Sequence, residues 1–98
     1  MSLMKLRPDE TDLVGRWISE NGQVQADDVC KRIEALTANQ LKKIAVSKEW
    51  GAWETLFQDP DDQRFWERTY PQGDTQGGGP PRLTVLSPER ANSKYSIV

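Results

Sequence analysis

No histidine occurs anywhere in the 98 residues, and that omission removes more chemistry than any other feature of the chain. It takes away the commonest general base, the commonest metal ligand and every Ser–His or Cys–His nucleophile arrangement. One cysteine is present, Cys30. Alone it cannot close an internal disulfide, which fits a reducing compartment, and it cannot supply the ligands of a zinc or iron–sulfur site. No apolar run is long enough to span a bilayer and no signal-peptide core stands out, so a cytoplasmic location with no membrane partner is expected. Basic residues number 13 against 15 acidic ones, a net charge of −2, so no overall basic field attracts nucleic acid. Internal repeats are lacking as well. Neither a cofactor nor a metal is expected.

What is there is a polar chain with its aromatic residues gathered in one stretch. Hydrophobic residues make up 36% and charged ones 29%, a polar composition but too rich in aromatics for a disordered protein. The length predicts a single domain over 1–98, burying roughly 65% of the unfolded chain's surface. That suffices for one core and not for a deep cleft between domains. Met1-Ser2-Leu3 ahead of Met4 has the look of a tag remnant, and residues 1–7 are expected to be loose, with the folded domain over 8–98. Residues 50–83 hold three of the four tryptophans, Trp50, Trp53 and Trp66, with Phe57, Phe65 and Tyr70.

Pro8 followed by Asp9-Glu10-Thr11 suits a helix start, and Leu13, Val14, Trp17 and Ile18 fall on one face of a short helix. Gly15 weakens that pattern and leaves a strand through 14–18 open. Asn21-Gly22 closes the segment as a helix cap or a hairpin turn. Asp27 is placed to cap a helix from Asp28 in which Val29, Cys30, Ile33, Leu36 and Thr37 share a face, ending near Leu36 or Ala38. Residues 41–47 read as a strand. Residues 53–58 and 64–70 read as the arms of an antiparallel hairpin across 59–63, where Pro60 presets φ and Asp59 braces the turn. In the second arm Phe65, Glu67 and Thr69 face one way, and Arg64, Trp66, Arg68 and Tyr70 the other. Pro71 ends that strand, 72–81 is a loop, and 82–86 is a last strand. Ser87-Pro88 then starts a helix to about Lys94. The fold class is α+β, a small antiparallel sheet of about four strands with two or three helices packed against it.

Each cluster with chemical potential has a plainer reading beside it. Gly77-Gly78-Gly79-Pro80-Pro81 can present backbone amides to an anion, but it lacks the Lys-Ser/Thr ending and the helix context of a phosphate loop. A sharp turn with glycine at positive φ and a proline-stiffened exit explains it better. Asp59, Asp61 and Asp62 imitate a calcium loop, yet Arg64 and Tyr70 stand where that loop needs its glycine and its bidentate glutamate. Glu54 and Glu67 lie on neighbouring arms as a possible acid–base pair, and nearby Arg64 and Arg68 make cross-strand ion pairing the simpler outcome. Cys30 reads as an inert buried thiol. Trp17, Trp53, Trp66 and Tyr70 are first of all core residues. Four tryptophans nevertheless exceed what so small a core encloses, so one or two should reach the surface, where Trp, Tyr and Arg anchor interfaces. Arg64, Phe65, Trp66, Arg68 and Tyr70 also interleave as on single-strand-binding surfaces, against a net charge of −2. The acid clusters Asp9/Glu10/Asp12, Asp27/Asp28 and Asp59/Asp61/Asp62 read as helix starts and solvated turns, or as a surface for a basic partner.

These segments join into a familiar pattern. Arg7-Pro8-Asp9-Glu10-Thr11, Leu13-Val14-Gly15-Arg16-Trp17, Asp27, Cys30, Arg32-Ile33, Trp53-Glu54, Leu56, Asp59-Pro60, Asp62, Phe65-Trp66-Glu67, Thr69-Tyr70-Pro71, Gly77-Gly78-Gly79-Pro80-Pro81, Leu83 and Lys94-Tyr95 together resemble the immunity proteins of bacterial polymorphic toxin systems, in particular immunity protein 27. That family pattern often has a glycine after the Asp-Pro-x-Asp turn and a histidine before the three glycines. Here Gln63 and Gln76 stand in those places. The resemblance implies a small cytoplasmic protein that binds and neutralises a cognate toxin domain stoichiometrically, with no catalysis. On that reading the expected contact region is Asp59, Asp61, Asp62, Arg64, Trp66, Tyr70, Gln76, Gly77, Gly78, Gly79 and Pro80. An oligomeric or scaffold-binding domain without a toxin partner stays open, as does a small enzyme using Glu54, Glu67 and the glycine loop.

Overall fold

The local signals between residues 42 and 86 build the sheet to which everything else is attached. In a computed structural model, described over residues 5–49, 51–71 and 79–97, four strands pair antiparallel there: β4 (Lys42–Ser47), β5 (Gly51–Gln58), β6 (Phe65–Thr69) and β7 (Arg82–Leu86). A three-residue strand, β1 (Asp12–Val14), adds to β7 and gives a five-stranded sheet of order β1-β7-β6-β5-β4. A separate ribbon consists of β2 (Trp17–Glu20) and β3 (Gln23–Ala26). Two helices complete the α+β architecture, α1 (Asp28–Ala35) and α2 (Pro88–Tyr95).

The two-residue period of a strand sends alternate side chains to opposite faces, and each face has its own helix. Phe57, Trp66 and Val85 stand opposite one another across β5, β6 and β7. On that face Leu6, Ile33, Leu36, Leu41, Phe57, Trp66 and Leu83 form the larger core under α1. On the other face Leu56 packs with Ala91 and Tyr95 of α2, supported by Ile44, Ala45, Phe65 and Leu86. Ile44 sits in a register irregularity of β4, between Lys43 and Ala45. The irregularity lets two consecutive residues of β4, Ile44 and Ala45, both reach this core. Burying a side chain such as Ile33, Leu36 or Leu83 contributes about 1.5–3 kcal/mol each.

Capping follows the sequence. Asp27 accepts from the Cys30 amide at 2.9 Å, and Ser87 accepts from the Arg90 amide at 3.2 Å with Pro88 in the first turn. Beyond Ala35 the chain widens into a π turn, Leu36–Gln40, closed by the Leu41 amide on the Leu36 carbonyl at 2.8 Å. That extra residue per turn keeps both Leu36 and Leu41 in the core.

Residues 13–18 are where the expected short helix does not form. The chain makes two strands instead, broken at Gly15-Arg16. A Cβ on Gly15 would lie 2.6 Å from Cys30 Sγ and 2.7 Å from the Pro81 carbonyl oxygen. The Gly15 amide donates to that same carbonyl at 2.9 Å. This close backbone approach fixes the break, and a helix here would forfeit it. The Asn21-Gly22 pair has φ of 53° and 77°, the two positive values of a type I′ turn, so the hairpin alternative holds. Residues 5–7 are also firmer than expected. Leu6 is buried, Arg32 Nη2 donates to the Lys5 carbonyl at 2.9 Å, and Arg64 Nη2 donates to the Arg7 carbonyl at 3.0 Å.

Candidate partner-binding surface

Antiparallel pairing divides the residues singled out in the sequence between the two ends of the sheet. The turn at 59–64 joins β5 to β6 at one end. Tyr70, Gly79 and Pro80 lie at the other, six residues along from Arg64 in the case of Tyr70, about 20 Å at strand rise. Gln76, Gly77 and Gly78 lie outside the described residues, as does Trp50.

At the first end the turn is locked internally. Asp59 is buried: its carboxylate accepts from the Asp61 amide at 2.8 Å, its carbonyl from the Gln63 amide at 2.8 Å, and its amide donates to the Arg64 carbonyl at 2.9 Å. Asp62 accepts from the Arg64 amide at 3.0 Å and from Arg64 Nε at 2.6 Å. Burial raises the Asp62 pKa, but the Arg64 amide and guanidinium outweigh it and leave the carboxyl below its usual range. Arg64 further donates to the Glu10 carbonyl at 2.6 Å and stacks 4.9 Å over the Trp66 ring. Trp66 itself is wholly buried. Within this turn Asp59, Arg64 and Trp66 are therefore structural parts, while Asp61 and Asp62 face solvent. The Asp61 carboxylate makes exposed contacts, to Lys5 at 3.5 Å and Gln40 at 3.1 Å.

The other acid clusters divide the same way. Glu10 forms a two-pronged pair with Arg32 at 2.5 and 2.7 Å. The Arg32 hydrogen bonds hold its carboxyl at about 2, against burial. Asp12 is gripped by Arg82 at 2.8 and 2.9 Å and by the Thr84 hydroxyl at 2.9 Å. Chiefly through Arg82, it too is held below the ordinary carboxylate range.

Glu54 and Glu67 do meet, but not as the arginine pairs expected from the sequence. Both bind Lys94 of α2, at 3.0 and 2.6 Å, and Glu67 also accepts from the Tyr95 hydroxyl at 2.7 Å. The reason is the strand period: Glu67 points to the α2 face, Arg64 and Arg68 to the opposite one. Burial opposes the charge of Lys94, yet hydrogen bonds to Glu67 and Glu54 outweigh that and hold its pKa above normal. The cluster fastens α2 to the sheet. Cys30 is buried, donates to the Arg16 carbonyl at 3.3 Å, and has its pKa raised, first by burial. It is an inert thiol, as its place on the apolar face suggested.

The second end carries the exposed apolar surface. Among the described residues the large hydrophobic side chains left open to solvent are Val14, Trp17, Ile18, Val24, Val46 and Trp53. Val14 closes β1, Val46 and Trp53 lie at the Gly51 end of β4 and β5, and the other three ride on the ribbon. Trp53 is 51% exposed. It meets Tyr70 edge to face, with ring centroids 5.3 Å apart at 84°. A groove of about 470 Å³ lies at the β1 edge of the sheet, lined by Val14, Gly15, Arg16, Trp17 and Pro80. Gly79 has φ of 73°, the positive value expected of a glycine in that segment, and Pro80 and Pro81 are buried; Gly77 and Gly78 of the expected turn lie outside the described residues. The contact region expected from the sequence included neither Arg68 nor Trp53. The signal available was that Arg68 and Tyr70 share strand parity and hairpin pairing sets Trp53 beside them.

A family model described as immunity protein 27 matches residues 19–87, well over half of the chain. The chain belongs to the immunity protein 27 family. No curated protein and no solved structure matches it. The immunity protein 27 match runs from within β2 through β7, so the locked turn, the Trp53–Tyr70 pair and the glycine–proline segment all lie inside it. β1 and α2 lie outside it. Among the described residues no group of three or more His, Cys, Asp or Glu side chains is arranged to hold a metal ion, and no helix is long and apolar enough to cross a membrane.

Proposed function

We propose that this chain is an immunity protein that binds the toxin domain of a polymorphic toxin system one to one in the cytoplasm and neutralises it by occupying its surface, without catalysis. Membership of the immunity protein 27 family carries the reading. The distribution of exposed groups supports it: Val14, Val46 and Trp53 are exposed at one end of the sheet, Trp17, Ile18 and Val24 on the ribbon, and the carboxylates best placed for acid–base work are tied to Lys94. The contact surface we assign is the Tyr70 end, with Trp53 and Tyr70 among the described residues; of the expected contact region, Gly79 and Pro80 are buried there, and Gln76, Gly77 and Gly78 lie outside the described residues. Asp61 and Asp62 at the far turn supply a steering charge. Asp59, Arg64 and Trp66 hold these positions in place from within. An interface of standard size, about 800 Å² per partner, is wide enough to cover that end.

The test is co-expression with the toxin domain encoded directly upstream of the gene. Restored growth of toxin-expressing cells and a one-to-one complex on size exclusion with light scattering are expected. Full toxin activity at saturating immunity protein, or no complex at micromolar concentrations, would remove the proposal.

A further inference from the structure

Four arginines of the described residues have partly buried side chains: Arg32, Arg64, Arg68 and Arg82. Three are paired with carboxylates, Arg32 with Glu10, Arg64 with Asp62 and Arg82 with Asp12. Arg68 is not. Among the described residues its nearest oxygen partner is the Thr55 hydroxyl at 3.5 Å, and its Nε is buried with no acceptor. Its guanidinium carbon lies 5.4 Å from the Phe57 ring centroid and 5.8 Å from that of Tyr70. Strand pairing sets it opposite Leu83 and Thr55 on the face covered further along by α1. A planar guanidinium stacked between rings is already oriented, so little side-chain entropy remains to be lost when something binds its donors.

We infer that Arg68 receives an Asp or Glu side chain of the toxin, with Trp53 and Tyr70 as the apolar walls around that ion pair. This deepens the proposed function and rests on it. The donor fork matches a carboxylate, and charge-assisted hydrogen bonds strengthen where water is kept out. Trp53 offers exposed ring area beside Tyr70, whose own ring lies against the Arg68 cation, and the edge-on contact holds the two rings together. Covering those rings needs an occupant that brings apolar surface together with one negative charge. A free inorganic anion would leave them wet. A single-stranded nucleic acid would want a row of cations for successive phosphates, and the chain's net charge of −2 offers no such field. Arg, Trp and Tyr side by side are the composition of an interface hot spot.

The experiment measures affinity for the toxin domain encoded directly upstream, using the full chain as wild type, Arg68→Met and Trp53→Ala. Arg68→Met keeps the apolar stem and removes the fork; its affinity is expected to fall about 30-fold or more, mainly through faster dissociation, as for a hot-spot residue. Trp53→Ala, at an exposed position where folding is not at stake, is expected to lose about 10-fold. Among Asp→Asn and Glu→Gln variants of the toxin, one should reproduce the Arg68→Met loss and show no further loss when combined with it. Arg68→Met and Trp53→Ala both within threefold of wild type would overturn the inference, as would an Arg68→Met loss additive with every toxin acid variant. Binding of a labelled ~12-nucleotide single strand that disappears in Arg68→Met would overturn it in favour of nucleic acid. Failure of the wild-type chain to bind the toxin at all would strike the proposed function instead, so the two failures are distinguishable.

Discussion

Gln63 holds φ of 67°, a left-handed backbone conformation that costs a side-chain-bearing residue roughly 1 kcal/mol. Its amide closes the turn on the Asp59 carbonyl, so the conformation is imposed by the turn. Gln63→Gly should therefore raise unfolding free energy by about 0.5–1 kcal/mol in a urea titration. The hydrogen bonds that its side chain makes, with Gln58 and the Pro60 carbonyl, are exposed and offset little of that gain. Gly15 is the converse case. Gly15→Ala should cost about 2–3 kcal/mol, because the new methyl meets Cys30 Sγ and the Pro81 carbonyl inside van der Waals contact. Adding Cys30→Ala should not restore the midpoint, since the Pro81 oxygen is backbone and stays. Residues whose role is local were legible: Asp27 and Ser87 as caps, Asp59 as a turn brace. Asp59 and Trp66 also show the limit, because a residue list for a contact surface does not say which members face inward.

At the scale of elements, strands β4 to β7 and both main helices follow from pattern, capping and turn chemistry. The 13–18 segment did not, since its apolar spacing of 13, 14, 17 and 18 suits a helix face equally well. Leu13 packs under α1 while Trp17 and Ile18 ride on the ribbon, and only the contact with Pro81, sixty-six residues later, decides between the two. Likewise the partner of Glu54 and Glu67 comes from α2, although strand parity already placed Arg68 on the wrong face to reach them. The N-terminal segment gains its order from the Glu10–Arg32 pair, both side chains mostly buried. Because the Glu10 pKa drops from 4.5 to about 2 on folding, the stabilisation is complete above about pH 4.5 and is lost as pH falls towards 2. The contribution is on the order of 3 kcal/mol. Urea unfolding free energies followed from pH 6 to pH 2.5 should show that decline in the wild type. In Glu10→Gln the part due to this group should be gone, leaving a shallower slope and lower stability at neutral pH.

Across the whole molecule, the exposed acids of the 59–64 turn and the Trp53–Tyr70 pair lie at opposite ends of one sheet. Positions close in sequence, the 59–64 turn and Tyr70, are parted by the length of β6, which is why a contact region read as one patch divides into two. If the acidic turn steers a basic toxin, Asp61→Asn with Asp62→Asn should slow association several-fold at low ionic strength and leave dissociation nearly unchanged. The difference should vanish towards 1 M salt, where the screening length falls to about 3 Å. Stopped-flow or biolayer rates at two salt concentrations check this. Asp59 is left intact in that variant because it holds the turn from inside.

The pinned segment around Leu6 has a practical corollary. Lys5 lies against Asp61 at 3.5 Å and the Arg7 carbonyl accepts from Arg64, so the Lys5 side chain sits beside the acidic turn. A biotin or fluorophore attached at the Lys5 side chain, which is exposed, would tether the protein by that end and hold the Trp53–Tyr70 end out into solution. A label on Trp53's neighbours would report on the opposite pole.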